Sequence, residues 1–262
     1  MHGQDNELEF ALKRAHEDPA HRPEFYRTLM DSNIWVLGYI PGMKKGQTLL
    51  HTGEQLMIEQ WQREDGKHVI PFFSSIPALQ RAHESNHRGF TLRGQGLFQT
   101  MPGAHFVLNP NSSYYWEFHP EEVACLLKNG MTHVPEVRVL NEPRRIQLKA
   151  PEEYPAEMVA SLSVLLAKYQ PIQRAYVALM TELDPTPSNV LIVGLLANND
   201  VDVVIQDMGA VIAITKPKQI PVDIVSIKLG ECVFGKYFEN TVPFYDARWR
   251  EHLSSHSLKG HA

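Results

Sequence analysis

Four prolines, Pro135, Pro143, Pro151 and Pro155, fall in one stretch that shows little helical periodicity. Proline removes a backbone donor and fixes φ, so neither a long helix nor a central strand runs through such a stretch. Regular apolar patterning resumes on both sides of it. A chain interrupted in this way folds as two bodies, and 262 residues suffice for two cores. We therefore expect a boundary between about residues 131 and 142, with domains over residues 1–135 and 143–256.

Before the boundary, Leu8, Ala11, Leu12 and Ala15 form a helical stripe after an Asp5-Asn6 cap. Pro23 suits the first turn of a second helix carrying Phe25, Tyr26, Leu29 and Met30. Strands are expected at residues 34–39, 56–61 and 68–73, the last two joined by the turn residues Glu64-Asp65-Gly66. Ser75 is placed to cap a helix running to about His87. Short strands follow at 90–93, 105–108 and 114–118, then a helix that opens at Pro120 and stops at Gly130. Strand and helix do not alternate regularly, which predicts an α+β fold.

Within and beyond the boundary, strands are expected at 137–140 and 145–149. Met158, Val159, Leu162, Leu165, Leu166 and Tyr169 make the clearest amphipathic stripe of the chain. Strands are expected at 174–180 and 190–197, on either side of a Pro185-Thr186-Pro187 turn. A helix marked by Val201, Val204, Ile205, Met208, Val211 and Ile212 follows. A third strand carries Val222, Ile224 and Ser226, and residues 236–249 read as helical in part. The whole is two consecutive mixed α+β domains.

The formal charge of −5 is spread without a long run of one sign, so the chain lacks the clustered Lys and Arg of a nucleic-acid surface. The longest apolar stretch, residues 190–197, is too short to span a bilayer, and the polar start is not a secretory signal. Cys125 and Cys232 are the two cysteines, which imply no disulfide framework. A cytoplasmic protein is expected, with no nucleic-acid and no membrane partner.

Two segments combine apolar periodicity with Pro and Ser punctuation: Ala20-His21-Arg22-Pro23-Glu24-Phe25-Tyr26-Arg27-Thr28-Leu29 and Val69-Ile70-Pro71-Phe72-Phe73-Ser74-Ser75-Ile76-Pro77-Ala78-Leu79-Gln80. They resemble the bacterial enhanced serine sensitivity family, SseB. So do Phe106-Val107-Leu108-Asn109, Glu117-Phe118-His119-Pro120-Glu121-Glu122, Arg174-Ala175-Tyr176-Val177 and Val242-Pro243-Phe244-Tyr245-Asp246-Ala247-Arg248-Trp249. The resemblance runs from Leu8 to Trp249. It implies two consecutive α+β domains and an association with serine sensitivity, without a defined reaction.

Candidate chemistry is sparse. His83-Glu84-Ser85-Asn86-His87 has the spacing of a helical zinc site whose glutamate activates a water. It falls at the end of its expected helix, and no third ligand is specified. Among the thirteen histidines no other set combines ligand spacing with a closed shell. Cys125 falls on a helix face and Cys232 follows Glu231, neither in a loop suited to a persulfide. Gly94-Gln95-Gly96 lacks the third glycine of a dinucleotide fingerprint, because position 99 is Gln99. No catalytic residue, cofactor or metal is therefore assigned.

Tyr245, Arg248 and Trp249 have the composition of a partner-binding hot spot. The expectation is a noncatalytic binding or regulatory module linked to serine sensitivity, with a protein or small-molecule partner. The alternatives are a metal-dependent hydrolase using His83, Glu84 and His87, and an interaction adaptor whose two domains present separate surfaces, as a monomer or a homo-oligomer.

Overall fold

Helix α1 (Glu7–Glu17) buries Leu8, Ala11, Leu12 and Ala15 along one side, as their spacing dictates. Asn6 Oδ1 caps it by accepting the Glu9 N–H at 2.9 Å. The computed structural model describes residues 6–41, 55–82, 88–133, 145–183, 187–198 and 201–249. The chain divides into two compact units, Met1–Glu17 with Glu24–Thr132, and Asp18–Pro23 with His133–Ala262. Among the described residues no helix is long and apolar enough to cross a membrane.

Helix α2 (Arg22–Asp31), which belongs to the first unit from Glu24 onward, carries Pro23 in its first turn and buries Phe25 and Leu29 completely. Seven strands form a mixed sheet: β1 (Asn33–Tyr39), β2 (Met57–Ile58), β3 (Trp61–Gln62), β4 (His68–Phe73), β5 (Arg88–Arg93), β6 (Phe106–Leu108) and β7 (Trp116–Phe118). Their path is β2-β1-β4-β6-β7, with β3 beside β4 and β5 beside β1. β4 and β6 run parallel; the other pairs are antiparallel. The strand expected at 56–61 is thus two short pieces.

Side chains alternate between the two faces of a strand, and register carries that alternation from strand to strand. Ile70, Phe72, Phe106, Leu108 and Phe118 therefore share one face. Phe25 of α2 packs there 6.3 Å from Phe118, and Phe98 packs 4.9 Å from Phe106 and 5.4 Å from Phe118. Val69, Pro71, Phe73 and Val107 share the opposite face, where Phe73 meets Ala78 of α3 (Ile76–Ala82). Ser75 caps α3 as its sequence predicts, its Oγ accepting the Ala78 N–H at 3.2 Å. The remainder of the expected helix, including residues 83–87, lies outside the described residues.

Phe98 belongs to α4 (Gly94–Thr100), a helix absent from the sequence expectation because two glycines occupy its first turn. Gly94 is required there by a close approach: a Cβ at this position would lie 2.2 Å from the Leu29 carbonyl oxygen. Helix α5 (Pro120–Asn129) begins and ends where the sequence places it, with Gly130 left-handed at φ 75°.

The second unit is built on β8 (Ile146–Lys149), β9 (Ile172–Glu182), β10 (Ser188–Ala197), β11 (Val222–Ser226) and β12 (Tyr245–Asp246), in the order β11-β10-β9-β12 with β8 also on β9. β10 and β11 are parallel and β9 and β10 antiparallel. Helices α6 (Ala156–Leu166) and α7 (Asp202–Thr215) cover one face, where Leu162, Leu165, Met208 and Val211 meet Val177, Leu191 and Val193. Helix α8 (Cys232–Glu239) covers the other through Phe238. Gly194 makes room for that ring, since a Cβ there would stand 2.6 Å from Phe238 Cε2. The Pro185-Thr186 part of the expected turn and the strand expected at 137–140 lie outside the described residues.

Residues 236–249 are helical in part, as expected, and a short strand lies between the helical pieces. α8 ends at Glu239, and Tyr245–Asp246 is a strand that pairs Tyr245 with Ala175 and Asp246 with Arg174. β8 takes only residues 179–182 of this edge of β9, and the unpaired backbone groups nearer its start recruit the passing chain. The Phe244 N–H donates to the Ala175 carbonyl at 2.9 Å, which begins that pairing.

Candidate functional site

The β6–β7 pair is antiparallel with Phe106 opposite Phe118 and Val107 opposite Glu117. Extending that register by one residue sets His105 across from His119, at the end of the hairpin. Glu117 and His119, two apart, point to the same face as His105, while Phe118 between them points into the aromatic core. Local alternation and strand pairing thus bring three metal-ligand side chains together. Among the described residues, the ligand atoms of His105, Glu117 and His119 lie within 4.8 Å of one another.

The cluster has a definite electrostatic arrangement. His105 Nε2 stands 3.5 Å from Glu117 Oε2 and is buried without a hydrogen-bond partner. The His105 and His119 ring centroids are 4.6 Å apart. Burial pushes the His105 imidazole below its ordinary value; His119 adds to this, Glu117 opposes it, and Arg63 and Lys67 reinforce it. A neutral ring is the form that offers a lone pair. Arg63, just past β3, donates from Nη1 to Glu117 Oε1 at 2.9 Å and Oε2 at 3.0 Å. His105 and His119 line a cleft of about 780 Å³ together with Gln60, Lys67, His68 and Glu121. Glu117 lines a second cleft of about 430 Å³ with Trp61, Arg63 and Val107.

This cluster is not among the candidate sites expected from the sequence. Glu117-Phe118-His119 does carry a legible signal, an alternating pair of ligands around a core aromatic. His105 joins it through a register that spans the intervening loop, and that register is not a local property of the sequence.

The residues expected to bind a partner are placed differently from one another. Tyr245 is wholly buried in the core beneath α6 and α7, so its ring belongs to packing and not to the surface. This corrects its expected role: β12 is drawn onto β9, and alternation turns Tyr245 inward. Arg248 and Trp249 lie on the 3-10 turn Ala247–Trp249, with the Arg248 side chain 76% exposed and Trp249 41% exposed. Arg248 donates from its backbone N–H and Nε to Asp246 Oδ1 at 3.0 and 2.9 Å, and from Nη2 to Oδ2 at 2.7 Å. Arg174 Nε reaches the same carboxylate at 3.2 Å. The turn is clamped.

The Arg248 hydrogen bonds hold the buried Asp246 carboxyl at about 2, against an ordinary 3.8. A lowered carboxyl value stabilises the fold fully above about pH 4, and the contribution is lost as pH falls through about 2. Asp246→Asn should flatten this part of the acid-denaturation curve of the wild type. Parallel loss of stability by both proteins from pH 4 downward would remove Asp246 as a contributor.

The His83-Glu84-Ser85-Asn86-His87 motif lies outside the described residues. Cys125 is half-buried on α5, where Asn129 Nδ2 approaches its Sγ at 3.4 Å, and Cys232 is exposed at the start of α8.

Two units, each a mixed sheet with helices packed on it, define a two-domain α+β protein. Residues 8–125 match the SseB protein N-terminal domain, and residues 140–247 match the SseB protein C-terminal domain. Protein SseB of Escherichia coli (strain K12) is 34% identical over 245 residues, which cover 93% of each chain. Protein SseB of Shigella flexneri matches with the same identity and coverage. The chain belongs to the SseB family. No solved structure matches it.

Proposed function

We propose that this protein is a noncatalytic binding or regulatory module linked to serine sensitivity, acting in the cytoplasm through a protein partner that docks on Arg248 and Trp249. One observation carries this reading: Trp249 is 41% exposed at the end of a turn that Asp246 clamps through three hydrogen bonds from Arg248. An exposed tryptophan held on a preordered turn offers a large contact area at little entropic cost. Arg248 contributes by fixing the turn as much as by reaching outward, because its Nε and Nη2 are already engaged.

The family link supplies the biological readout. Expressed in Escherichia coli grown with and without added L-serine, the wild-type chain is expected to alter the response to serine. Trp249→Ala, with unchanged circular dichroism and melting, is expected to lose that effect. Against a partner isolated by affinity capture on the wild-type chain, it should cost about 2 kcal/mol, or roughly 30-fold in affinity. A folded Trp249→Ala that keeps both the serine response and full partner affinity would sink the reading.

A further inference from the structure

We propose that His105, Glu117 and His119 form a binding site for a divalent transition-metal ion, with Zn²⁺ the best match to the donor set. The site lies in the first unit and is independent of the contact surface on the C-terminal turn.

Four observations converge on it. The three ligand atoms lie within 4.8 Å of one another on one face of the β6–β7 hairpin. Zn–N and Zn–O bonds of about 2.0–2.2 Å place tetrahedral ligands about 3.3 Å apart, so each atom needs to move inward by about an ångström or less. Second, His105 Nε2 is buried with no hydrogen-bond partner, whereas buried polar atoms are nearly always satisfied. A metal ion at the cluster supplies the missing contact. Third, two imidazoles and one carboxylate suit zinc and its neighbours in the first transition row, not calcium or magnesium, which select oxygen ligands. Fourth, the two histidines open onto the cleft of about 780 Å³, which gives an ion a path and leaves a coordination position for water or a small ligand.

Arg63 is the competing group. Its Nη1 occupies the Glu117 carboxylate at 2.9 and 3.0 Å, and its side chain is 40% exposed. An arriving dication displaces the guanidinium, whose charge opposes it and whose exposed side chain is able to swing into water. Arg63 therefore lowers affinity, and its removal should strengthen binding. A cluster that merely decorates the surface would not respond in this direction.

The experiment uses the full chain, stripped of metal with a chelator and titrated with Zn²⁺ by calorimetry and with Co²⁺ by visible absorption. The wild type is expected to bind one ion saturably, with Co²⁺ showing the intense visible bands of a low-coordinate site. His105→Ala and His119→Ala should each weaken binding by about 100-fold or more, since losing even an outer partner of a ligand costs about 10–100-fold. Arg63→Ala should bind more tightly than wild type, and a His83→Ala/His87→Ala double variant should bind as wild type does. If His105→Ala fails to fold, His119→Ala decides the question, because His119 is exposed. A folded wild type that binds neither ion saturably overturns the proposal. So does binding that survives His119→Ala but is lost in the double variant, which assigns the ion to residues 83–87 instead.

Discussion

Tyr245→Ala is expected to destabilise the second unit by about 3–5 kcal/mol, the range for deleting a large aromatic from a packed core. Tyr245 has no exposed surface and sits among the residues that α6 and α7 bury against the sheet. Deleting the ring removes its transfer free energy and leaves a cavity that rigid neighbours fill only in part. The strand it occupies is two residues long and is held on β9 by the Tyr245–Ala175 and Asp246–Arg174 pairs. Hydrogen exchange should therefore show its greatest loss of protection in β9 and in residues 244–246. Urea unfolding with an unchanged m-value supplies the magnitude. A loss below about 1 kcal/mol would mean that the site collapses freely or that Tyr245 is not an anchor. Comparison with Trp249→Ala separates packing from contact: the first should lose stability, and the second should lose binding while still folded.

Phe118→Ala is expected to cost a similar 3–5 kcal/mol in the first unit. Its ring is fully buried, with centroids 5.4 Å from Phe98, 6.2 Å from Phe72 and 6.3 Å from Phe25. Those contacts tie β7 to two helices and, across β6, to β4, and aromatic pairs of this geometry add to the simple burial term. Phe118 also fixes orientation. With its ring in the core, Glu117 and His119 must face the other way, beside His105. Loss of the ring should raise hydrogen exchange in β6 and β7 above that in β1 and β5, and Phe118→Leu should recover part of the stability. If β6 and β7 keep wild-type protection in a folded Phe118→Ala protein, the ring does not set the hairpin's register.

Family membership and the positions of most helices were legible in the chain itself. Leu8, Ala11, Leu12 and Ala15 specify α1 within a few turns, and Pro120 and Gly130 bracket α5. These signals are local: a 3.6-residue period, a cap and a stop act over neighbouring residues and need no knowledge of the rest of the molecule. Alternation in Glu117-Phe118-His119 is equally local, and it already assigns the two ligands to one face.

Tertiary structure decided what long-range pairing controls. Gly94–Thr100 becomes a helix although two glycines weaken its intrinsic preference, because Phe98 enters the aromatic core and Gly94 passes against the Leu29 carbonyl. Residues 245–246 become a strand because an edge of β9 is there to receive them. That pairing buries Tyr245 and leaves Trp249 outside, a distinction that shared aromatic composition does not contain. His105 meets His119 through the β6–β7 register, and a slip of one residue would send every ligand of one strand to the opposite face. Sequence thus determined most of the elements and the kinship. Which edges pair, and in which register, belongs to the folded chain, because those choices are settled by the burial of residues far apart in sequence.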